Sequence, residues 1–228
     1  MTPVVTLAAL RRHAIARSLF TPTTLPRAIA KLGFVQADPI RAPAPADAAT
    51  RRQHQDALVD VIVRKYAPLT AAGLGGLVWR LRAGAPRFAG DLPRTLARAK
   101  ARLAHARIDG VDWYWPEGER PQSPRHAPDD DVRLLAPFDP IVWDRRRFRL
   151  FWGWDYRFEA YTPAPKRKLG YYALPLLWRD DVIGWGNIAL QDGKLASTIG
   201  YTTGAPREPA FRRGLDAELE RMRVFLRC

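Results

Sequence analysis

The sequence predicts an α+β protein: winged helix-turn-helix modules followed by a small C-terminal β-barrel or rolled antiparallel sheet. Three observations predict it. Helical periods closed by an Asp-Gly turn fill residues 57–115. Short strands separated by acidic and Gly turns, rich in tryptophan, follow residue 130. The net charge of +14 sits mostly in the helical part: residues 1–50 carry +4, 51–110 carry +8 and 111–228 only +2. A protein this basic carries the electrostatic footprint of a polyanion binder.

At the N-terminus, Thr6 can cap a helix running to Leu19, with Leu7, Leu10, Ala14 and Leu19 as its apolar stripe. Thr21-Pro22-Thr23-Thr24 breaks it, and a second helix runs from about Leu25 to Leu32 before Gly33. Alternation then predicts a short strand over Phe34 to Asp38. Residues 42–56 read as a Pro/Ala linker, centred on Ala42-Pro43-Ala44-Pro45-Ala46.

The next module is a winged helix over residues 57–116. Ala57 to Tyr66 is helical and Pro68 stops it; Thr70 caps a second helix reaching about Arg82. Leu92 to Leu103 is the third helix, carrying Arg94, Arg98, Lys100 and Arg102. Residues 106–115 read as strand, Asp109-Gly110 turn, strand. In this pattern the third helix is the recognition helix and Arg107 lies on the wing.

Residues 117–228 form the C-terminal β-barrel-like domain. A polar loop to Asp131 leads to strands over Val132–Leu135, Tyr156–Tyr161, Tyr171–Trp178, Val182–Leu190 and Lys194–Tyr201. Asp180-Asp181 and Asp192-Gly193 supply hairpin turns, and Phe211 to Leu226 is a closing helix.

Composition excludes several classes of function. With 47% hydrophobic residues the chain can bury a core, so it is not a disordered polyelectrolyte. No apolar run reaches the roughly 18–20 residues of a membrane span. The single cysteine, Cys228, excludes an internal disulfide framework and, with four scattered histidines, a Cys/His zinc site. Gly73-Leu74-Gly75-Gly76 lacks the Lys-Ser/Thr of a phosphate loop. No metal, nucleotide cofactor or membrane partner is expected, and the N-terminus has no secretory pattern, so a cytoplasmic monomer is the expectation.

Three segments carry candidate chemistry. In a strand, Gln36 and Asp38 project from one face, so an amide can position a water while a carboxylate polarises it or stabilises a developing cation. Q-x-D also arises by chance, and Asp before Pro39 can simply start a turn. Arg145-Arg146-Arg147 with Arg149 reads as a solvated helix face over an aromatic core. Tyr161-Thr162-Pro163-Ala164-Pro165-Lys166-Arg167-Lys168 is a stiff, cationic loop that either grips phosphates or is a solvated hairpin tip.

Taken together, Leu32-Gly33-Phe34-Val35-Gln36-Ala37-Asp38-Pro39-Ile40-Arg41, the run Leu134 to Arg145 through Pro137-Phe138-Asp139-Pro140, and Tyr156 to Tyr172 resemble, in order, three signatures of the YcaQ/AlkZ-type winged-helix DNA glycosylases. The resemblance implies tandem winged helices closed by a C-terminal β-barrel, double-stranded DNA as partner, and hydrolysis of the N-glycosidic bond of alkylated purines, in some members at interstrand crosslinks. It implies Gln36 and Asp38 as the catalytic pair; beside it, the basic third helix, the wing and the stiff loop give Arg94, Arg98, Lys100, Arg102, Arg107, Tyr161, Lys166 and Arg167 as the expected DNA-facing residues. No lysine stands beside Gln36 and Asp38, so base removal without strand cleavage is expected. One departure stands out: about one winged-helix module of the family is missing between the catalytic segment and residue 57, which leaves residues 1–41 an incomplete helix-turn-helix. Two rivals therefore stay open, a non-catalytic winged-helix DNA binder and an interaction module whose basicity is compositional.

Overall fold

A computed structural model describes residues 4–17, 47–86 and 89–227. The second helix expected over 25–32, the strand expected over 34–38 and, with it, Gln36 and Asp38 lie outside the described residues. The described chain divides into two compact units, one built from residues 4–17 and 47–126, the other from 127–227.

The first unit opens with α1 (Leu7–Arg17), whose start follows from Thr6: its hydroxyl accepts the Ala9 N–H at 3.2 Å and its carbonyl the Leu10 N–H. Helix α2 (Ala48–Tyr66) begins well inside the stretch 42–56 expected as a linker. Asp47 explains the early start, because its carboxylate accepts the Thr50 N–H at 2.7 Å and no proline interrupts the residues that follow. The buried residues Gln55, Val59 and Val63 recur every fourth position, and Ala67-Pro68 ends the helix. A two-residue strand, β1 (Leu69–Thr70), precedes α3 (Ala71–Gly84), capped by the Thr70 hydroxyl on the Gly73 N–H at 3.0 Å.

Helix α4 (Leu92–Arg102) buries Leu92, Thr95 and Ala99 and leads into the hairpin β2 (Ala104–Ile108) and β3 (Val111–Trp115). Asp109 and Gly110 turn it with φ of 49° and 78°, the left-handed pair that a two-residue hairpin loop requires. The antiparallel sheet runs β1-β3-β2, and Trp113 and Trp115 are buried on its inner face. Residues 117–126, expected with the C-terminal domain, pack in this first unit, and the short turn Pro124–His126 lies against α1.

The second unit holds a curled antiparallel sheet in the order β4 (Val132–Leu134), β5 (Leu174–Trp178), β6 (Asp181–Gln191), β7 (Lys194–Tyr201). All five residues of β5 are buried, as befits a strand covered on both faces. The register shifts between Leu176 and Leu177, a bulge that bends the sheet. Helix α7 (Pro209–Leu226) closes one face through Phe211 and Met222 against Val132, Leu134, Leu176 and Trp178. It also caps the sheet edge: the buried Glu218 carboxylate accepts the Leu134 N–H at 2.8 Å, and Arg221 donates to the Val132 carbonyl at 2.9 Å. Gly214 permits this docking, since a Cβ there would come within 2.9 Å of the Asp130 carbonyl.

Three strand-level expectations change. Tyr156–Tyr161 is not a strand. Its inward residues, Tyr156 and Glu159, are three apart rather than two; the Tyr156 hydroxyl donates to the Ala173 carbonyl at 2.7 Å, and the Thr162 N–H closes a turn on Glu159. The strand expected from Tyr171 begins only at Leu174. The β5–β6 turn is Arg179-Asp180, with Arg179 at φ 54°, and Asp181 already belongs to β6.

Between β4 and β5 lie the short helices α5 (Pro140–Trp143) and α6 (Arg145–Trp152). Both start on aspartates of the Leu134–Arg145 signature. The buried Asp139 accepts the Ile141 N–H at 2.9 Å, and Asp144 accepts the Arg146 and Arg147 N–H groups at 3.1 Å each. The arginine run is not wholly a solvated face. Arg147 is 1% exposed and donates through Nη2 to the Pro140 carbonyl, so it braces α6 on α5.

Candidate nucleic-acid interface

Within the first unit, the expected recognition helix presents its cations unevenly. Arg94 is outermost, with a side chain 83% exposed and only a loose 3.5 Å pair with Asp91. Lys100 lies over the Tyr114 ring at 5.7 Å, and Tyr114 in turn stacks on His105. On the β2–β3 hairpin, the exposed Arg107 pairs with Asp112 at 3.5 Å. Arg98 and Arg102 face the other way. Arg98 forks onto the Asp56 carboxylate, Nη2 at 2.9 Å and Nε at 3.1 Å. Arg102 reaches the Asp60 carboxylate at 2.5 Å and the Asp56 carbonyl at 2.9 Å. These two arginines are committed to joining α4 to α2, with Gln55 beside them donating to the Gly90 carbonyl and accepting the Thr95 hydroxyl.

The sequence reading missed a cationic cleft. Arg51 and Arg52 lie on the first turns of α2, inside the presumed linker, and with Arg94 line a cleft of about 450 Å³ between the starts of α2 and α4. The signal was present in Asp47, a good helix cap just ahead of the arginine pair.

A second cleft, of about 680 Å³, is lined by α1 and the loop after β3. Here the buried His13 is hydrogen-bonded to Glu119, Nε2 to Oε2 at 2.7 Å, and Arg17 reaches the same carboxylate at 2.6 Å. The His126 ring lies 4.9 Å from that of His13. Burial depresses the His13 pKa to about 4; Glu119 pulls upward, but Arg17 and His126 push the same way as burial. His13 and Glu119 are 106 residues apart, and no spacing rule links them.

In the second unit, the Tyr161–Lys168 loop is tied down at several points. The buried Glu159 carboxylate accepts the Lys168 and Leu169 N–H groups at 2.8 and 2.7 Å. Burial would raise its pKa, but the N–H donors of Leu169, Lys168 and Gly170 hold it below the ordinary carboxylate value. Arg167 donates to the Thr162 carbonyl at 2.8 Å and lies over the Tyr171 ring at 4.9 Å. Asn187 of β6 donates to the Leu169 carbonyl at 2.7 Å, and Gly170, at φ 117°, has no room for a side chain against Asn187. Tyr161 and Lys166 project outward from this frame.

The two units thus define a class: an α+β protein whose first unit is a basic helical array with an antiparallel hairpin and whose second is a curled sheet carrying a rigid cationic loop. The family model described as "DNA glycosylase AlkZ-like" matches residues 5–225, and the chain belongs to the AlkZ-like DNA glycosylase family. DNA is therefore its partner by family, and hydrolytic base removal its family chemistry. No solved structure matches the chain. Among the described residues no helix is long and apolar enough to cross a membrane, and no cluster of His, Cys, Asp or Glu could hold a metal ion.

Proposed function

We propose that the protein is a monofunctional DNA glycosylase that hydrolyses the N-glycosidic bond of alkylated purines in double-stranded DNA, acting as a monomer in the cytoplasm. The observation that carries this reading is the family match over residues 5–225, which spans the Gln36-Ala37-Asp38 segment. Residues 48–115 then read as a winged helix: three helices, a short strand and a hairpin in the order such a module requires. Its phosphate contacts are Arg94, Lys100 and Arg107, with Arg51 and Arg52 added; Arg98 and Arg102 support the module from within. Tyr161, Lys166 and Arg167 extend the contact from the second unit.

Alkylation of a purine ring nitrogen makes the base cationic and a good leaving group. As the glycosidic bond breaks, the sugar gains oxocarbenium character. Asp38 stabilises that charge and polarises the attacking water, while Gln36 holds the water in place. The absence of a lysine beside the pair favours release of the base without strand cleavage.

A non-catalytic DNA binder is the second reading. It is favoured by the short path from Asp38 to the start of α2 at Ala48, too short for a further winged module. One experiment separates the two. Wild-type protein incubated with N7-alkylated duplex should release free base, and Asp38→Ala should lower the rate by about 10²–10³-fold, as loss of one well-placed electrostatic contact does. Duplex affinity should stay within twofold. Equal release by both proteins would remove Asp38 from the mechanism; no release by either, with duplex binding intact, would establish the binder.

A further inference from the structure

The second unit carries a surface that phosphate binding does not account for. On it Tyr161 is 92% exposed, Phe138 65%, Tyr171 59% and Tyr172 43%. They do not scatter. Phe158 holds three of them around itself, with ring centroids 5.7 Å from Phe138, 6.3 Å from Tyr161 and 4.9 Å from Tyr172. Tyr171 carries the Arg167 guanidinium on its ring. Large exposed apolar groups gathered in this way are rare on a surface that meets only water.

Cations flank the rings along the chain. Arg157, Lys166 and Lys168 are exposed, and the acid within the loop, Glu159, is turned inward onto backbone N–H groups. Asp155, the next acid along the chain, pairs with Arg149 at 3.3 Å. The ties at Glu159, Thr162 and Asn187 fix the loop backbone between Tyr161 and Tyr171 before any ligand arrives, which lowers the ordering cost on binding.

From this arrangement we infer that the aromatic cluster of Phe138, Phe158, Tyr161, Tyr171 and Tyr172 is a stacking platform for unpaired bases of single-stranded DNA, its backbone held by the flanking cations. Paired bases in a duplex offer no free face to such rings, whereas an unpaired strand offers one at every nucleotide. Interleaved aromatic and cationic groups are the chemistry by which sequence-tolerant single-strand binding is achieved. The natural ligand is then DNA with a single-stranded stretch, a class beyond the alkylated duplex. The inference rests on DNA being the partner but not on catalysis.

The test compares three probes on the full chain: a twelve-nucleotide oligothymidine, an abasic oligomer of the same length and charge, and a duplex. Wild-type protein should bind oligothymidine about tenfold more tightly than the abasic oligomer, since each stacked base contributes on that order. The Phe138→Ala/Tyr172→Ala protein should lose most of that preference and keep its duplex affinity; both side chains are exposed, so the fold is retained. Tyr161→Trp should preserve the preference. Equal binding of oligothymidine and the abasic oligomer by wild type would overturn the inference, leaving the patch to a protein partner. A preference that survives with no base release from alkylated duplex would sink the enzyme reading and leave the platform standing. Loss of all DNA binding would overturn both.

Discussion

At the scale of single residues, His13 is the most consequential group that the family chemistry does not mention. It is buried beside Glu119, Arg17 and His126, and its pKa lies near 4 instead of the ordinary 6.5. The sign of the linkage follows. Between pH 6.5 and 4 the unfolded chain takes up a proton that the folded chain refuses, so stability is fully present above 6.5 and is lost as pH falls toward 4. The full shift corresponds to about 3 kcal/mol. Urea midpoints measured across that range should fall more steeply for wild type than for His13→Gln, which retains a donor to Glu119 but cannot titrate. Parallel curves for the two proteins would mean that His13 is already protonated in the fold. Glu159 shows the opposite balance: buried like His13, it keeps its charge because backbone N–H groups point at it.

Helix α4 shows, at the scale of the element, how one stretch of sequence serves two purposes. Its arginines share a spacing that suggests one basic face, yet Arg98 and Arg102 turn onto Asp56 and Asp60 of α2 while Arg94 stays in solvent. Substitutions along the same helix should therefore separate. Arg98→Ala leaves Asp56 without its two-pronged partner and should cost about 1–2 kcal/mol of stability, with duplex affinity nearly unchanged. Arg94→Ala should leave the melting temperature alone and weaken duplex binding several-fold. Thermal melts paired with fluorescence-anisotropy titrations decide it, and a stable Arg98→Ala protein with weakened binding would return Arg98 to the DNA face. The closing helix α7 divides its work in a similar way, with Phe211 and Met222 packing the core while Glu218 and Arg221 satisfy the edge of β4.

For the whole molecule the governing quantity is the net charge of +14, held almost entirely by the first 110 residues. Phosphate contacts release counterions, so log affinity should fall linearly with log salt, by about 0.9 for each phosphate neutralised on a duplex. Arg94→Gln, Lys100→Gln and Arg107→Gln together should shallow that slope by about 3 if each contacts one phosphate. The Phe138→Ala/Tyr172→Ala protein should leave it unchanged, because stacking releases no counterions. An unchanged slope in the triple variant would place the duplex on another face, with the Arg51 and Arg52 cleft the first to examine.

By itself the sequence determined what rests on neighbours along the chain. Thr6 and Thr70 start their helices, Asp109-Gly110 turns the hairpin, and β7 occupies Lys194–Tyr201, because caps, left-handed turns and period-two alternation act within a few residues. The signatures around Leu134–Arg145 and Tyr161–Lys168 were legible as well, and so was the family. Their inner logic was not: Asp139 caps a helix, Arg147 is buried, and Glu159, expected within a strand, anchors the loop that follows it. Spacing likewise grouped Arg98 and Arg102 with Arg94, although their partners lie 42 residues away on another helix. The His13–Glu119 contact spans 106 residues, and the aromatic platform draws Phe138 to Phe158 and Tyr172 from separate segments. Only the tertiary structure decided these, because the energy of an ion pair or a ring contact depends on distance in space, which periodicity along the chain does not encode.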